Sequence, residues 1–224
     1  MQQLIMPTQT NPKILVVDDH ASVLEGTVNS IRQQYAEAKI SVAQTAEKAL
    51  GIVKEGQPDL MVVDLCIPQR NGESAKIETG LQLLRDLMQH YPTLNLMIQS
   101  ANTASLVRLK PAINAHEGGF TIAAKSLSLP DMLTRVDWAL QGLVFTPKEM
   151  RSGLEMKSEW LQMLKLAFEG GLQDKAIAEQ MNISERTVRH YWTKIQDALG
   201  IYPDEGKNIR IHTGIRARQE GLID

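Results

Sequence analysis

Cysteine is almost missing from this 224-residue chain: Cys66 stands alone. That excludes an internal disulfide framework and any multi-cysteine zinc or iron–sulfur site. A chain so built suits a reducing compartment, and the cytoplasm is the expected location. Long apolar runs are missing too. No stretch reaches the roughly 18 consecutive apolar residues that a membrane span needs, and the first residues lack a charged segment followed by an apolar run. Neither export nor a place in the membrane is expected. Charge of one sign is not in excess either. A net charge of -2 gives no global basic field, so any contact with nucleic acid must come from a local cluster of cations.

What is present is a globular balance, 43% hydrophobic and 22% charged residues, in a length that fits two modules of ordinary size. Residues 1–12, polar and carrying Pro7 and Pro12, read as a loose leader. From Lys13 short apolar runs alternate with helical periodicity. Ile14–Val17 precedes Leu24, Val28, Ile31 and Tyr35; Ile40–Ala43 precedes Ala46, Ala49, Leu50 and Val53, with Thr45 as cap and Gly56 as stop. Leu60–Val63 is unalternated, as expected of a central parallel strand covered on both faces. A helix holding Leu81, Leu84, Leu87 and Met88 follows, then a strand over Leu94–Ile98 and a helix from Leu106 to Ile113 that Pro111 should shorten. A fifth strand spans Phe120–Ala124, and a helix beginning near Ser128 ends around Gly142. Five such alternations predict an α/β doubly wound, five-stranded parallel sheet over residues 13–142. Residues 143–157, with Pro147 and Gly153, read as a linker, and 158–224 as about four helices: Ser158–Glu169, Asp174–Met181, Glu185–Leu199 and Ile209–Glu220.

In an open parallel sheet, functional residues gather at the carboxyl ends of the strands. Here those ends carry Asp18 and Asp19, Asp64, Ser100 and Lys125. Carboxylates crowded together repel, which favours a hard divalent cation with oxygen ligands; Mg2+ is the expected occupant. A carboxylate attacking a phosphoryl group needs its equatorial oxygens neutralised. Asp64 is therefore read as the nucleophile, Asp18 and Asp19 with Asp64 as metal ligands, Lys125 as phosphoryl clamp and Ser100 as phosphoryl hydrogen-bond donor. Each residue alone has a plainer role, the acids as helix caps and the lysine as a surface charge; the set at successive strand ends is what points to a site.

In the second module, Asp174–Arg189 reads as two crossing helices. Ala178 sits where they approach, Ile177 and Met181 face the core, Asn182 takes a left-handed turn and Ser184 caps the next helix. Val188, Trp192 or Tyr191, Ile195 and Leu199 are the expected buried stripe, leaving Arg186, Arg189, His190 and Lys194 to solvent or phosphate.

Taken together, Val17-Asp18-Asp19-His20, Asp64-Leu65-Cys66-Ile67-Pro68, Ser100-Ala101 and Lys125-Ser126 resemble the motifs of response-regulator receiver domains. The segment from Gly171 to Arg189 and the end Ala217–Ile223 resemble the LuxR-type helix-turn-helix output domain of the NarL/FixJ-like class. The resemblance implies a two-component transcriptional regulator: phosphate taken from a sensor histidine kinase onto Asp64, a metal shell completed by the main-chain carbonyl of Cys66, and no enzyme beyond its own aspartyl phosphorylation and dephosphorylation. It also implies a recognition helix in the DNA major groove, with Arg189, His190 and Thr193 near bases and Lys175, Arg186, Thr187 and Lys194 nearer phosphates. A homodimer face through Ile211, Ile215, Arg218 and Leu222 is implied as well.

Several features depart from the pattern. Glu73–Thr79 precedes Gly80-Leu81 as extra sequence, either a surface insertion or a lid. Ile122 stands where an aromatic switch residue is usual. Phe145–Glu149 only echoes the usual opening of the output domain, Tyr191 replaces the usual recognition-helix histidine, and the loop Tyr202–Lys207 is enlarged. Two rivals stay open. One is a haloacid-dehalogenase-type phosphatase, whose second acid is replaced here by Cys66. The other is a receiver-based interaction switch whose helix-turn-helix contacts a protein instead of DNA.

Overall fold

The computed structural model describes residues 11–146, 156–204 and 206–224. Most of the leader, the linker from Pro147 to Glu155 with Gly153, and the Pro147-Lys148-Glu149 part of the output-domain echo lie outside them. The described residues form two compact units, one built on a sheet and the other on helices.

The first unit runs β1 (Lys13–Val17), α1 (Ala21–Gln34), β2 (Lys39–Ala43), α2 (Ala46–Glu55), β3 (Leu60–Val63), α3 (Ile77–His90) and β4 (Asn95–Ser100). After a 3-10 segment (Ala104–Leu109) that groups with the second unit, α4 (Lys110–Ala115), β5 (Phe120–Ala124), α5 (Leu129–Leu140) and β6 (Val144–Phe145) complete it. The sheet is parallel, in the order β2-β1-β3-β4-β5-β6. Central strands are the apolar runs: all four residues of β3 are buried, whereas edge strand β2 buries only Ala43. Thr45 and Ser128 cap α2 and α5 through their hydroxyls, as their positions foretell. Pro111 sits in the first turn of a six-residue α4, the shortened helix expected there. At the end of α1, the Tyr35 hydroxyl and the Gln34 amide both donate to Asp137 of α5.

Two features differ from the sequence reading. The sheet has a sixth strand, Val144–Phe145, inside the stretch read as a linker. Phe120 N donates to Leu143 O at 3.0 Å, Val144 pairs with Phe120, and the Arg135 guanidinium lies 3.7 Å from the centre of the Phe145 ring. A two-residue strand is too short to leave a periodic signal. Helix α3 starts at Ile77, not at Gly80, so the second half of the extra stretch is helical. Just before it, Lys76 N donates to Ile67 O at 3.1 Å in an isolated antiparallel bridge that ties the stretch to the buried segment after β3.

The second unit contains α6 (Ser158–Phe168), α7 (Asp174–Met181), α8 (Glu185–Leu199) and α9 (Ile209–Gln219). Its core includes Ile177, Ala178, Val188, Trp192, Ile195 and Leu199, so Trp192 rather than Tyr191 takes the buried position. Asn182, at φ 53°, makes the sharp left-handed turn, and Ser184 Oγ accepts from Thr187 N at 3.1 Å to start α8.

Asp174, which the sequence shows only as one more acid, bridges three helices. Its carboxylate accepts from Trp192 Nε1 at 3.0 Å and from both terminal nitrogens of Arg210 at 2.9 and 2.8 Å, while the guanidinium stacks 3.8 Å from the Trp192 ring centre. The hydrogen bonds from Arg210, aided by Trp192 and opposed by burial, hold the Asp174 carboxyl below its usual range. A lowered folded-state value means that the stabilisation is complete above the unfolded value of about 3.9 and is lost as pH falls through the folded one. Asp174→Asn should therefore cost about 1–2 kcal/mol at neutral pH, the low end of the range for hydrogen bonds to charged groups because both partners touch solvent. Thermal melts of the two proteins should differ at pH 7, and the gap should narrow as pH falls below about 3.9 toward the folded value; a gap as wide in acid as at neutrality would remove the charge from the account.

Leu222 is a correction. Helix α9 stops at Gln219, Gly221 turns the chain at φ +69°, and Leu222 N donates to Ala217 O at 2.9 Å, so Leu222 is buried and cannot belong to a dimer face. Ile211 and Ile215 remain exposed on α9, while Arg218 Nε donates to Asp224 O at 2.9 Å. Among the described residues, no helix is long and apolar enough to cross a membrane.

Candidate functional site

The parallel ladder assembles the acidic site. Val17 pairs with Val63, so the residues that follow, Asp18 and Asp64, leave adjacent strands at the same end; Asp64 N donates to Val17 O at 2.8 Å. Ser100 pairs with Ala124, and Lys125 N donates to Ser100 O at 3.1 Å, which brings the lysine to that end too. Side chains far apart in sequence then meet. Lys125 Nζ donates to Asp18 Oδ2 and to Asp64 Oδ2, each at 2.7 Å. Asp18 and Asp64 are both 4% exposed, so the ammonium is the counter-ion of two buried carboxylates. Burial alone would lower the lysine's pKa, but the bonds and charges of the two carboxylates outweigh it and hold Lys125 above its ordinary value.

Asp19 is half-buried at the rim, with its Oδ1 2.8 Å from His20 Nδ1, and His20 N donates to Asp18 Oδ1 at 2.9 Å. The Cys66 thiol is pushed up first by burial and then by the carboxylates of Asp64 and Asp19, with Lys125 pulling the other way. Ser100 is buried at the end of β4, its hydroxyl accepting from Asn102 N at 3.4 Å, and Ile122 is buried in β5 opposite Ile98. The donor set fits a divalent cation: Asp64 Oδ1 is buried without a hydrogen-bond partner, and donor atoms of Asp18, Asp19 and His20 all lie within 4.8 Å of one another. Sequence reasoning left His20 out of this group; its signal was position, directly after the paired acids.

In the helical unit, Lys175, Arg186, Arg189, His190, Thr193 and Lys194 are exposed. Arg186, His190, Thr193 and Lys194 share the face of α8 opposite its buried stripe. Arg189 lies to one side, 3.6 Å from Glu185, and the half-buried Thr187 hydroxyl is taken by Ser184 Oγ at 2.9 Å, which makes it part of the cap. Beside that face, Lys157, Glu159, Trp160, His190, Tyr191 and Lys194 line a groove. Lys157 and Trp160 were not foreseen, because α6 carries no cationic pattern of its own.

Comparison with known proteins decides the family. The response regulator receiver domain model matches residues 14–137, more than half of the chain. The chain belongs to the response regulators. In this response regulator, residues 160–202 also match the model for bacterial regulatory proteins of the luxR family. Relatives include the transcriptional regulatory protein YdfI of Bacillus subtilis, 28% identical over 218 residues that cover 94% of this chain and 97% of YdfI. Another is the DNA-binding transcriptional activator DevR/DosR of Mycobacterium tuberculosis, 26% identical over 201 residues, 84% of this chain and 88% of that protein. A solved structure of RcsB from Salmonella enterica serovar Typhimurium, bound to a promoter in the presence of a phosphomimetic, aligns with a TM-score of 0.59 at 18% identity, covering 95% of this chain and 99% of that one; this is a likeness of fold. A receiver match, with Cys66 where a phosphatase needs its second acid, rules against the haloacid-dehalogenase reading.

Proposed function

We propose that this response regulator is switched by phosphorylation of Asp64 and acts on transcription by binding double-stranded DNA through α7 and α8. The observation that carries the reading is Lys125 held at 2.7 Å from both Asp18 and Asp64, beside a buried and unpaired Asp64 oxygen. In the transfer, Asp64 forms a bond to phosphorus as the bond to the imidazole nitrogen of a sensor kinase's phosphohistidine breaks, and that histidine takes up a proton. Lys125 steadies the transferred oxygens and the Ser100 hydroxyl donates to one of them. Magnesium, held by Asp18, Asp19, Asp64 and the Cys66 carbonyl, would supply further neutralisation of the phosphoryl charge. The phosphoryl group adds about -1.5 to -2 charge at a place where Lys125 already serves two carboxylates, so the lysine must redistribute its bonds. That redistribution biases the receiver between two states.

The DNA reading rests on the cationic face of α8 and on the name of DevR/DosR as a DNA-binding activator. Arg189, His190 and Thr193 reach bases, and Lys175, Arg186 and Lys194 reach phosphates, with Thr187 acting mainly through the cap. Ile211, Ile215 and Arg218 offer the face for a homodimer on paired half-sites. The receiver extends from Lys13 through β6, and the output domain from Ser158 to the end.

Genomic fragments recovered with the phosphorylated and the unphosphorylated protein provide the test. Enriched sequences that depend on phosphorylation support the proposal, and none in either state favours a protein-interaction switch. On an enriched fragment, Lys194→Ala should weaken binding to all sequences alike and lower the salt slope by about 0.9, one phosphate contact. Arg189→Ala should cost about 1–3 kcal/mol on the preferred site and little elsewhere. Unchanged affinities in both variants would take α8 out of the DNA interface.

A further inference from the structure

The start of α6 lies beside the solvent face of α8, and the groove between them has a volume of about 360 Å3, at the lower end of the range for small-ligand sites. Lys157, Glu159 and Trp160 reach it from α6 and the residue before it; His190, Tyr191 and Lys194 reach it from α8. The Lys157 ammonium stands 5.6 Å from the centre of the Trp160 ring, close enough for the electron-rich face to hold it. His190 and Lys194, four residues apart on α8, are both exposed on one side of that helix. Trp160 and Tyr191 are half-buried and supply the apolar part of the wall. The acid of the groove, Glu159, accepts from Ser158 Oγ at 3.3 Å. Two lysines against one glutamate leave a surplus of positive charge even with His190 neutral. The groove is also continuous with the face proposed for DNA, because His190 and Lys194 belong to both.

We infer that this groove is a second DNA contact, in which Lys157 and Trp160 seat one sugar–phosphate unit of the backbone next to the bases that α8 reads. Lysine meets a phosphate as a point charge, and the Trp160 ring both steadies that lysine and offers the sugar an apolar surface. Such a contact carries no sequence information; it fixes the position of α8 on the duplex. Glu159 repels the same phosphate and keeps the contact weak, which limits binding to unrelated sequences. This second contact presupposes the DNA binding proposed for α8 and names a further part of it.

The test titrates a random-sequence DNA duplex into the full-length protein, phosphorylated and not, over a range of salt, and follows anisotropy in whichever state binds more tightly. Lys157→Ala should lower the salt slope by about 0.9, so that its deficit against the wild type is about threefold larger in ~50 mM than in ~200 mM salt. Glu159→Gln should act in the opposite direction and tighten binding about two- to fivefold. The change in indole emission that duplex DNA causes in the wild type should be lost in Trp160→Phe, and all three variants should melt as the wild type does, since Lys157 and Glu159 are exposed and Phe keeps the ring. Lys194→Ala separates the two levels. If it lowers the salt slope while Lys157→Ala and Glu159→Gln bind like the wild type, α8 binds DNA and the groove lies outside the interface, which overturns the inference alone. If no variant changes the binding, Lys194→Ala included, the DNA reading of α8 fails and the groove's role with it.

Discussion

Asp64→Asn is expected to take up no phosphoryl group above background from a kinase or a small phosphodonor, under conditions where the wild type is labelled fully. The substitution keeps the size of the side chain and an oxygen able to accept from Lys125, so the pocket stays assembled. It removes the anionic nucleophile, since an amide oxygen does not displace a phosphorus–nitrogen bond. Because Asp18 is tied to the same lysine at the same distance, it is a carboxylate that could compete for the role, and the Asn variant tests that directly. Equal labelling of variant and wild type would eliminate Asp64 as acceptor. The melting midpoint serves as control: a variant that still melts cooperatively has lost chemistry, not structure.

The second large effect lies one residue beyond the acceptor. Gly80, in the second turn of α3, faces the backbone of Leu65, and a Cβ there would stand 2.1 Å from Leu65 O and 2.6 Å from Leu65 Cα. Nothing at such a contact is a flexible side-chain end, so the helix or the segment after β3 must move. Gly80→Ala should cost about 3 kcal/mol, the upper part of the range for forced overpacking. Since Leu65 directly follows Asp64, phosphoryl uptake should fall with stability. Gly51, inside α2 with nothing within 4 Å of an added Cβ beyond the helix's own backbone, is the matched contrast: Gly51→Ala should gain about 0.5–1 kcal/mol from helix propensity alone. Denaturant titrations of the two variants check both signs, and a Gly80→Ala midpoint equal to the wild type's would refute the close approach.

The core strands were readable because each is an apolar run, and a parallel sheet brings the ends of such runs together whatever their separation in sequence. That is why Asp18, Asp64 and Lys125 could be placed in one pocket from residue order alone. Features without a run or a period stayed hidden. Strand β6 is two residues long and is tied down by pairing with β5 and by the contacts of Phe145 with Arg135 and Trp138. The first turn of α3 lies in a polar stretch where Ile77 is the only large apolar residue, so periodicity begins only at Gly80. The Asp174–Arg210 pair spans 36 residues and depends on how α9 returns to α7, which no local pattern encodes. Leu222 misled for the opposite reason: the apolar spacing Ile211, Ile215, Leu222 continues past the point where Gly221 breaks the helix.

The two hydrogen bonds from Lys125 to Asp18 and Asp64 set the balance of charge at this end of the sheet. The repulsion between those acids is offset within the polypeptide by one shared ammonium, so two buried carboxylates divide a single counter-charge and anything that draws Lys125 toward one of them leaves the other short.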